Sequence, residues 1–585
     1  MTYSEKEHIK LLIAVLKAYG IRNLVLSPGS RNIPFVHMAE NDSFFTCYSV
    51  VDERSAGFFA IGLIERINEP VGICCTSGTA ICNYVSSVAE AFYQRLPLVV
   101  LTADRLNYYL NQNEDQMVPQ LDLLKSITKA SVQISTIKDS QDYWYTRNRI
   151  EAALLELDHH GKGPVHIDFI VEDKSANTAD FSYEKPDSIK KTCRYELEKK
   201  STDLSACINV LKNSKILLVY GQSGPVSPAE IAALEYFVSC FDCVVLKDHI
   251  SNLSYEKAIL PFTALKALSE ADRIKLKPDV IITLNGNCTF MPMLRKFTAL
   301  GSEQWDVCDD GILRDNLHKL TKIFEGSSID FLRLMSTPNR KAHNDNYYTL
   351  WKNHIESIAT PDPAYSSLYA VKTFMENVPS NSIVHLANSS TVRYANMFSL
   401  KDNIRVYCNR GTNGIDGSFS AFMGNAAASD ELAFLLIGDL SFFYDMNACW
   451  NRYCGKNIRV MLNNNSGAEL FHYDHGAKIE RINEFIAAEH SAHAKEWVES
   501  RGFKYLCARN REQLEKACAE FFTGDSDAPV FLEVFTDKEK DSEIVHQYFD
   551  EICHPGMKES TRNALKKAAY KNKALSKLVY KLKRI

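Results

Sequence analysis

Between Leu432 and Gly467, two apolar stretches (Leu432 to Ile437 and Ile458 to Leu462) bracket a Gly438-Asp439 pair and a short amphipathic segment. The second stretch runs directly into Asn463, Asn464 and Asn465. Short apolar runs between turn residues read as strands buried on both faces, so the pattern predicts strand–helix–strand in a parallel sheet. Gly438 permits a close approach to the backbone. A helix starting near Ser441 would aim free N–H groups and the positive end of its dipole at an anion. Asp439, an asparagine side chain and a main-chain carbonyl supply hard oxygens suited to an octahedral magnesium that also holds phosphate oxygens. The chemistry suits a metal-bridged diphosphate. Gly-Asp alone would favour an ordinary strand–helix–strand unit with polar turns. The two strands and the asparagine run together favour the diphosphate site.

The 585 residues suffice for about three domains, each with its own core. Residues 1–185 alternate strand and helix patterns, with strands at Asn23–Leu26, Phe45–Val51, Val71–Thr76, Leu98–Thr102 and Pro164–Ile170. Glu172–Lys200 is polar and reads as a linker. A second α/β unit spans 201–340, with strands at Lys215–Tyr220, Asp242–Lys247 and Asp279–Leu284. Its Gly221-Gln-Ser-Gly224 lacks the GxGxxG spacing and reads as a tight turn. Residues 337–363 form a second linker, and a third unit at 364–553 matches the first in size and rhythm. The expected class is therefore α/β: three consecutive doubly wound domains with mainly parallel sheets. Residues 554–585 form a basic amphipathic tail, read as a solvated terminal helix or as a weak membrane-surface contact.

A net charge of −5 gives no general attraction to nucleic acid. Sixteen cysteines follow no repeating frame, and Cys240 with Cys243 is a lone CxxC lacking the second pair of a zinc site. No signal peptide or apolar run long enough to span a bilayer is evident, so the expected compartment is the reducing cytoplasm.

Gly-Asp followed about two dozen residues later by Asn-Asn resembles the diphosphate fingerprint of thiamin diphosphate enzymes. That cofactor needs a carboxylate to share a proton with its pyrimidine ring. Glu53, where a strand gives way to a helix, is the candidate; alone it would read as an ordinary acidic helix start. Ser27-Pro-Gly-Ser-Arg-Asn32, Val51-Asp-Glu-Arg-Ser-Ala-Gly57, Thr76-Ser-Gly-Thr79, Leu101-Thr-Ala-Asp-Arg105, Asn111-Gln112, Asn409-Arg-Gly-Thr-Asn-Gly-Ile-Asp-Gly417 and Gly438-Asp-Leu-Ser441 occur in this order. Together they resemble the 2-succinyl-5-enolpyruvyl-6-hydroxy-3-cyclohexene-1-carboxylate synthase (MenD) family of thiamin diphosphate enzymes.

The resemblance implies a pyrimidine-binding first domain, a central α/β domain, and a third domain holding diphosphate and magnesium or manganese. It implies decarboxylation of 2-oxoglutarate and 1,4-addition of the resulting carbanion to isochorismate. Asp439, Asn464 and the carbonyl of Ser466 would hold the metal. Gly438, Asp439, Leu440, Ser441, Ile415, Asn388 and Ser389 would contact the cofactor, with Ile415 propping its bent shape. Ser389, Arg393 and Arg410 would face the 2-oxo acid, while Ser30, Arg31, Arg105 and Gln112 would face the acceptor. Arginine suits both substrates because its planar fork meets carboxylates bidentately. Active sites between subunits of a homodimer or homotetramer are part of the same implication.

The sequence departs from the family pattern in several places. Asn285 to Met293 carries no lysine, and the first cation is Arg295; losing a charged hydrogen bond there costs about 1.5–3 kcal/mol. Ser466 replaces a glycine, which is tolerable if its backbone angle is ordinary. The Asn463–Phe471 stretch is one residue longer and puts Glu469 near the reacting centre, where an ionised acid would repel a dicarboxylate. The Tyr108–Leu110 region is shortened. A diverged decarboxylase or carboligase for another 2-oxo acid and acceptor, in polysaccharide or secondary metabolism, is the alternative. A catalytically dead scaffold is the third reading, which the presence of both Glu53 and Asp439 opposes.

Overall fold

The computed structural model describes residues 7–172, 187–194, 203–298, 301–336, 346–475 and 480–553. The basic tail at 554–585 and most of the first linker lie outside the described residues.

Three parallel sheets follow one another along the chain. The first holds β1 (Asn23–Leu26), β2 (Thr46–Ser49), β3 (Val71–Cys75), β4 (Leu98–Asp104), β5 (Ala130–Ile134) and β6 (Val165–Ile170), ordered β2-β1-β3-β4-β6-β5. The second holds β7 (Ile216–Tyr220), β8 (Cys243–Lys247), β9 (Val280–Leu284), β10 (Glu303–Cys308) and β11 (Leu320–Glu325), ordered β11-β10-β9-β7-β8. The third holds β12 (Ile383–Leu386), β13 (Arg405–Tyr407), β14 (Ala433–Gly438), β15 (Ile458–Asn464), β16 (Lys504–Ala508) and β17 (Val530–Phe535), ordered β13-β12-β14-β15-β17-β16. The inner strands β3, β4, β7, β9 and β12 are buried along their whole length, as sheets covered by helices on both faces require.

The fold class expected from the sequence is the one observed. Four strands were not foreseen: β5, β10 and β11 mix polar with apolar residues, and β11 and most of β16 are not fully buried. The stretch read as a second linker contains a helix, Asn346–Glu356, anchored by Tyr347 and Trp351, both with no exposure. Gly221 lies just past the end of β7, where a Cβ would fall 1.9 Å from the carbonyl oxygen of Gly286, so two backbones meet closely there.

The first and third sheets are joined back to back. Helix Glu53–Ile67, which follows β2, crosses helix Ser418–Ala427, which follows β13. A Cβ on Gly62 would lie 1.8 Å from Ala421 O, and one on Gly424 would lie 1.9 Å from Phe59 O. The helices thus touch backbone to backbone, which only glycine at these two positions allows. Phe59, Ile61, Phe422 and Leu435 belong to one continuous apolar core across this junction. Burial at roughly 25 cal/mol per Å² makes such a shared core a strong tie between domains.

Candidate active site

Parallel sheets present their ligand-binding loops at the carboxyl ends of the strands. In the third sheet, β14 ends at Gly438 and β15 at Asn464, side by side with Gly438 paired to Asn463. Helix Asp439–Tyr444 starts immediately after Gly438. Asp439 is buried, and its carboxylate is fixed by three backbone donors. Leu440 N reaches Oδ1 at 2.7 Å, while Asn465 N and Gly467 N reach Oδ2 at 3.2 and 3.0 Å. Asn464 gives its amide nitrogen to Ala492 O at 3.0 Å and to Glu533 Oε1 at 2.7 Å. Both partners are acceptors, so the oxygen must lie on the other side, where it meets Ser466 N at 3.3 Å. A Cβ on Gly438 would meet nothing within 4 Å, which leaves open space beside the helix start. A carboxylate, an amide oxygen, a nearby main-chain carbonyl and room beside a helix start fit a metal-bridged diphosphate.

The condition set for Ser466 is not met. Its φ is +64°, in the left-handed region, so the serine takes a conformation that glycine adopts more readily. Gly467 beside it has φ +142°, and a Cβ there would lie 2.6 Å from Ala487 O. The segment before helix Lys495–Ser500 covers this loop, and it includes His490, which the sequence reading passed over. His490 Nε2 lies 3.2 Å from Asp439 Oδ2, and its ring packs edge-on against Phe443.

Glu469 is also placed differently from expectation. It is buried and turned into the domain, with Tyr394 Oη at 2.5 Å, Ser367 Oγ at 2.8 Å and Asn465 Nδ2 at 3.2 Å. Burial, reinforced by the nearby Asp541 carboxyl, pushes its pKa up to about 8. It is therefore largely neutral near pH 7, and its bonded neighbours hold it within the domain.

The neighbouring loops of the third sheet are knitted together by Asn388. Its amide nitrogen donates to Asn409 O and Gly414 O at 2.6 and 2.7 Å, and its oxygen accepts from Arg410 Nη1 at 3.2 Å. The side chain expected at the cofactor is thus committed to bracing the loop that carries Ile415. Ser441 Oγ donates to Ile415 O at 2.8 Å, which links that loop to the helix starting at Asp439. Leu440 contributes its backbone to the same helix start. Ser389 has φ 76° and ψ −131°, and Gly78 in the first domain has nearly the same angles, so Ser389 holds a glycine-like turn at strain. Arg393 follows on the short helix Ser390–Ala395 and is partly buried. Arg410 is buried and lines a cavity of about 730 Å³ where the three domains meet, together with Arg66, Arg95, Arg314 and Arg405. That cavity is not lined by Glu53, Asp439 or Asn464.

In the first domain, Asp52 caps helix Glu53–Ile67 by accepting from Ser55 N. Glu53 is half-buried, and desolvation together with the Asp52 charge raises its pKa above the usual carboxylate value, against the pull of a backbone hydrogen bond. A carboxyl that keeps its proton more readily than usual is better suited to give and take one. Its charge is felt by Cys75 and Tyr84 of its own domain. Its flanking residues hold the third domain of the same chain: Arg54 Nη2 donates to Tyr444 O at 2.9 Å, and Asn447 Nδ2 to Asp52 Oδ2 at 3.3 Å. Among the described residues, no hydrogen bond joins Glu53 to Asp439, Asn464 or Ser466.

The Ser27–Asn32 loop packs on Thr76. Arg31 N donates to Thr76 Oγ1, and Ser27 Oγ binds Val50 O just before the Asp52 cap. Ser30 is exposed. Arg105 is buried, but its guanidinium is taken by Asp115 O at 2.6 Å and Glu114 Oε2 at 2.9 Å. Gln112 is exposed, and its amide nitrogen reaches Leu110 O of its own loop. The structure therefore groups Arg31 with Thr76 and ties Arg105 to the loop that carries Gln112.

Sequence reasoning also missed Glu90, a buried acid on helix Thr79–Gln94. It accepts from Gly411 N, Thr412 N and Thr412 Oγ1 at 2.5–2.8 Å, so it pins the Arg410–Ile415 loop from the opposite domain. Nothing in the local pattern at Glu90 announces a partner more than three hundred residues away.

Residues 7–124 match the family described as thiamine pyrophosphate enzyme, N-terminal TPP binding domain. The chain is 39% identical to the 2-succinyl-5-enolpyruvyl-6-hydroxy-3-cyclohexene-1-carboxylate synthase of Phocaeicola vulgatus over 557 residues, 94% of this chain and 98% of that protein. It is 39% identical to the synthase of the same name from Bacteroides fragilis, covering 94% of this chain and all of that protein. For the Flavobacterium johnsoniae synthase the identity is 30% over 566 residues, again 94% of this chain and all of the relative. With this extent of match, and with the three parallel sheets in place, the chain belongs to the 2-succinyl-5-enolpyruvyl-6-hydroxy-3-cyclohexene-1-carboxylate synthase family of thiamin diphosphate-dependent transferases.

Proposed function

We propose that this enzyme decarboxylates 2-oxoglutarate and adds the resulting four-carbon unit to isochorismate, in a magnesium-dependent reaction of menaquinone synthesis. The observation that carries the reading is the convergence of Asp439, Asn464 Oδ1 and the Ser466 loop around the open cradle at Gly438. The identity with relatives of that name along 94% of the chain supports the substrates.

Asp439, Asn464 and the Ser466 carbonyl would hold the metal, and the backbone of residues 438–441 would hold the diphosphate. When bound, thiamin diphosphate supplies a stabilised carbanion after loss of carbon dioxide. Glu53 would exchange a proton with the pyrimidine nitrogen, and its raised pKa suits that exchange. Ile415, braced by Ser441 and by the Asn388 clamp, would fix the cofactor's shape. Arg393 and Arg410 would orient the 2-oxo acid. Ser30, Arg31, Arg105 and Gln112 would receive the acceptor, with Arg105 exchanging Glu114 for a substrate carboxylate.

Glu53 is held within its own domain, while its neighbours grip Tyr444 and Asn447 of the same chain. We read this as a site completed by a second copy, with Glu53 of one subunit facing Asp439 of another. A dimer is then the smallest competent unit.

The test is incubation of the protein, thiamin diphosphate and magnesium with a panel of 2-oxo acids, with and without isochorismate, followed by mass analysis of products. Release of carbon dioxide from 2-oxoglutarate and a joined product with isochorismate are expected. Turnover of another 2-oxo acid and none of 2-oxoglutarate would replace this reading with a diverged carboligase.

A further inference from the structure

Strand β17 reads Val-Phe-Leu-Glu-Val-Phe, and its one acid, Glu533, has no exposure at all. An acid at the centre of a strand buried on both faces needs a set of donors, because an unpaired buried polar group is costly. Glu533 has such a set, from three different elements. Asn464 Nδ2 on β15 donates to Oε1 at 2.7 Å, and Tyr505 Oη on β16 donates to Oε2 at 2.8 Å. Ala494 N, at the start of helix Lys495–Ser500, reaches Oε1 and Oε2 at 3.3 and 3.2 Å. The register explains the meeting. Glu533 stands opposite Leu462 on one side and Cys507 on the other, so Asn464 and Tyr505, each two residues away, share its face.

We propose that Glu533 is a positioning residue that sets the metal-binding orientation of Asn464. Both Glu533 oxygens face donors, Tyr505 Oη and Ala494 N among them, and act as acceptors, so the Asn464 amide beside them must present nitrogen. The amide oxygen is thereby turned toward the Ser466 loop and Asp439, on the side where the cation would sit. The same carboxylate fixes Ala494 N, and so anchors the covering segment that carries His490 and Ala492. Ala492 O is the second acceptor for the Asn464 nitrogen. One buried acid thus holds both the ligand and the element that closes over it. Residues that orient a metal ligand in this way typically alter metal affinity by about 10–100-fold when removed.

This inference rests on the metal reading above, and the experiment separates the two. Magnesium is titrated calorimetrically into the full chain with saturating thiamin diphosphate, for wild type, Glu533→Gln and Glu533→Met. Melting temperatures are taken in chelator and in saturating magnesium. Glutamine keeps an acceptor oxygen for Asn464, and its affinity should stay within about threefold of wild type, the scale of one modest hydrogen bond. Methionine matches the length but accepts no N–H bond of that strength, and should weaken magnesium binding by about 10–100-fold. The melting increment conferred by magnesium should shrink for methionine alone. Should Glu533→Met not fold, Glu533→Asp carries the same test with the same sign, since it withdraws the acceptor oxygens from Asn464 by one methylene. A folded Met or Asp variant with wild-type magnesium affinity overturns the proposal, as does equal weakening in Glu533→Gln. Absence of magnesium binding in the wild type would instead overturn the metal reading itself.

Discussion

The first and third domains have the same strand order, β2-β1-β3-β4-β6-β5 against β13-β12-β14-β15-β17-β16, and yet equivalent strand ends carry unlike chemistry. β3 ends in Thr76-Ser-Gly-Thr79 where β14 ends in Gly438-Asp-Leu-Ser441. β4 leads to Asp104 and Arg105 where β15 leads to three asparagines. β2 delivers Glu53 to the start of a helix, whereas β13 delivers the loop from Asn409 to Gly417. The scaffold decides where a loop projects, and the residues on the loop decide what it binds. On the proposed reading, the first domain would present a proton-exchanging acid and arginines, and the third would present oxygen ligands and a helix start.

The sharpest way to break this division of labour is to disable each half separately. Glu53→Gln should lower turnover by about 10²–10⁴-fold, as expected on removal of a general acid–base, with magnesium-dependent cofactor binding retained in calorimetry. Asp439→Asn should do the opposite, weakening cofactor and metal binding by more than the ~10–100-fold seen for supporting residues. If a site joins two subunits, mixing the two variants after reversible dissociation should restore about a quarter of wild-type activity, because half of randomly formed dimers carry one intact site. Inactivity of the mixture, with heterodimers verified by mass, would place both halves of the site in one chain.

The next test concerns the seam between the two domains. Gly424→Val forces a side chain onto Phe59 O, where even a Cβ would lie 1.9 Å away, and should destabilise the protein by about 1–3 kcal/mol or more. A melting temperature unchanged from wild type would show that the two helices can separate at no cost.

The smallest effect concerns pH. Glu469 keeps its proton in the folded protein up to about pH 8, whereas the unfolded chain gives it up near the ordinary value of 4.5. Across that interval the folded state holds more protons, so this group's contribution to stability is complete below pH 4.5 and declines as pH rises toward 8. Glu469→Gln never ionises, and its melting temperature should therefore gain on wild type between about pH 5 and 8. A constant difference across that range would show that Glu469 is ionised when folded.

Much of this comparison was legible before any coordinates. Apolar strands ending in Gly-Asp or Asn-Asn-Asn announce a parallel sheet through local pattern alone. The strands that escaped, such as β11 with its Leu-Thr-Lys-Ile-Phe-Glu sequence, are edge or polar strands whose burial depends on neighbours distant in the chain. Ser466 shows another limit, since residue identity did not reveal the left-handed angle that the loop imposes. Glu469 read as a threat to an anionic substrate because the burial and the Asp541 carboxyl that keep it protonated come from elements distant in the chain. Glu533 stands as a lone acid in an apolar run, and that oddity is the local clue to the role proposed for it.

The crossing at Gly62 and Gly424 bears on how such a chain can change over generations. Each position is blocked by the other helix's main chain, which no side-chain replacement can relieve. A substitution at either one has no compensating partner a single step away, so both should resist drift as firmly as residues that touch substrate. Sequence scans that equate invariance with chemistry would then mistake two hydrogen atoms for part of the catalytic apparatus.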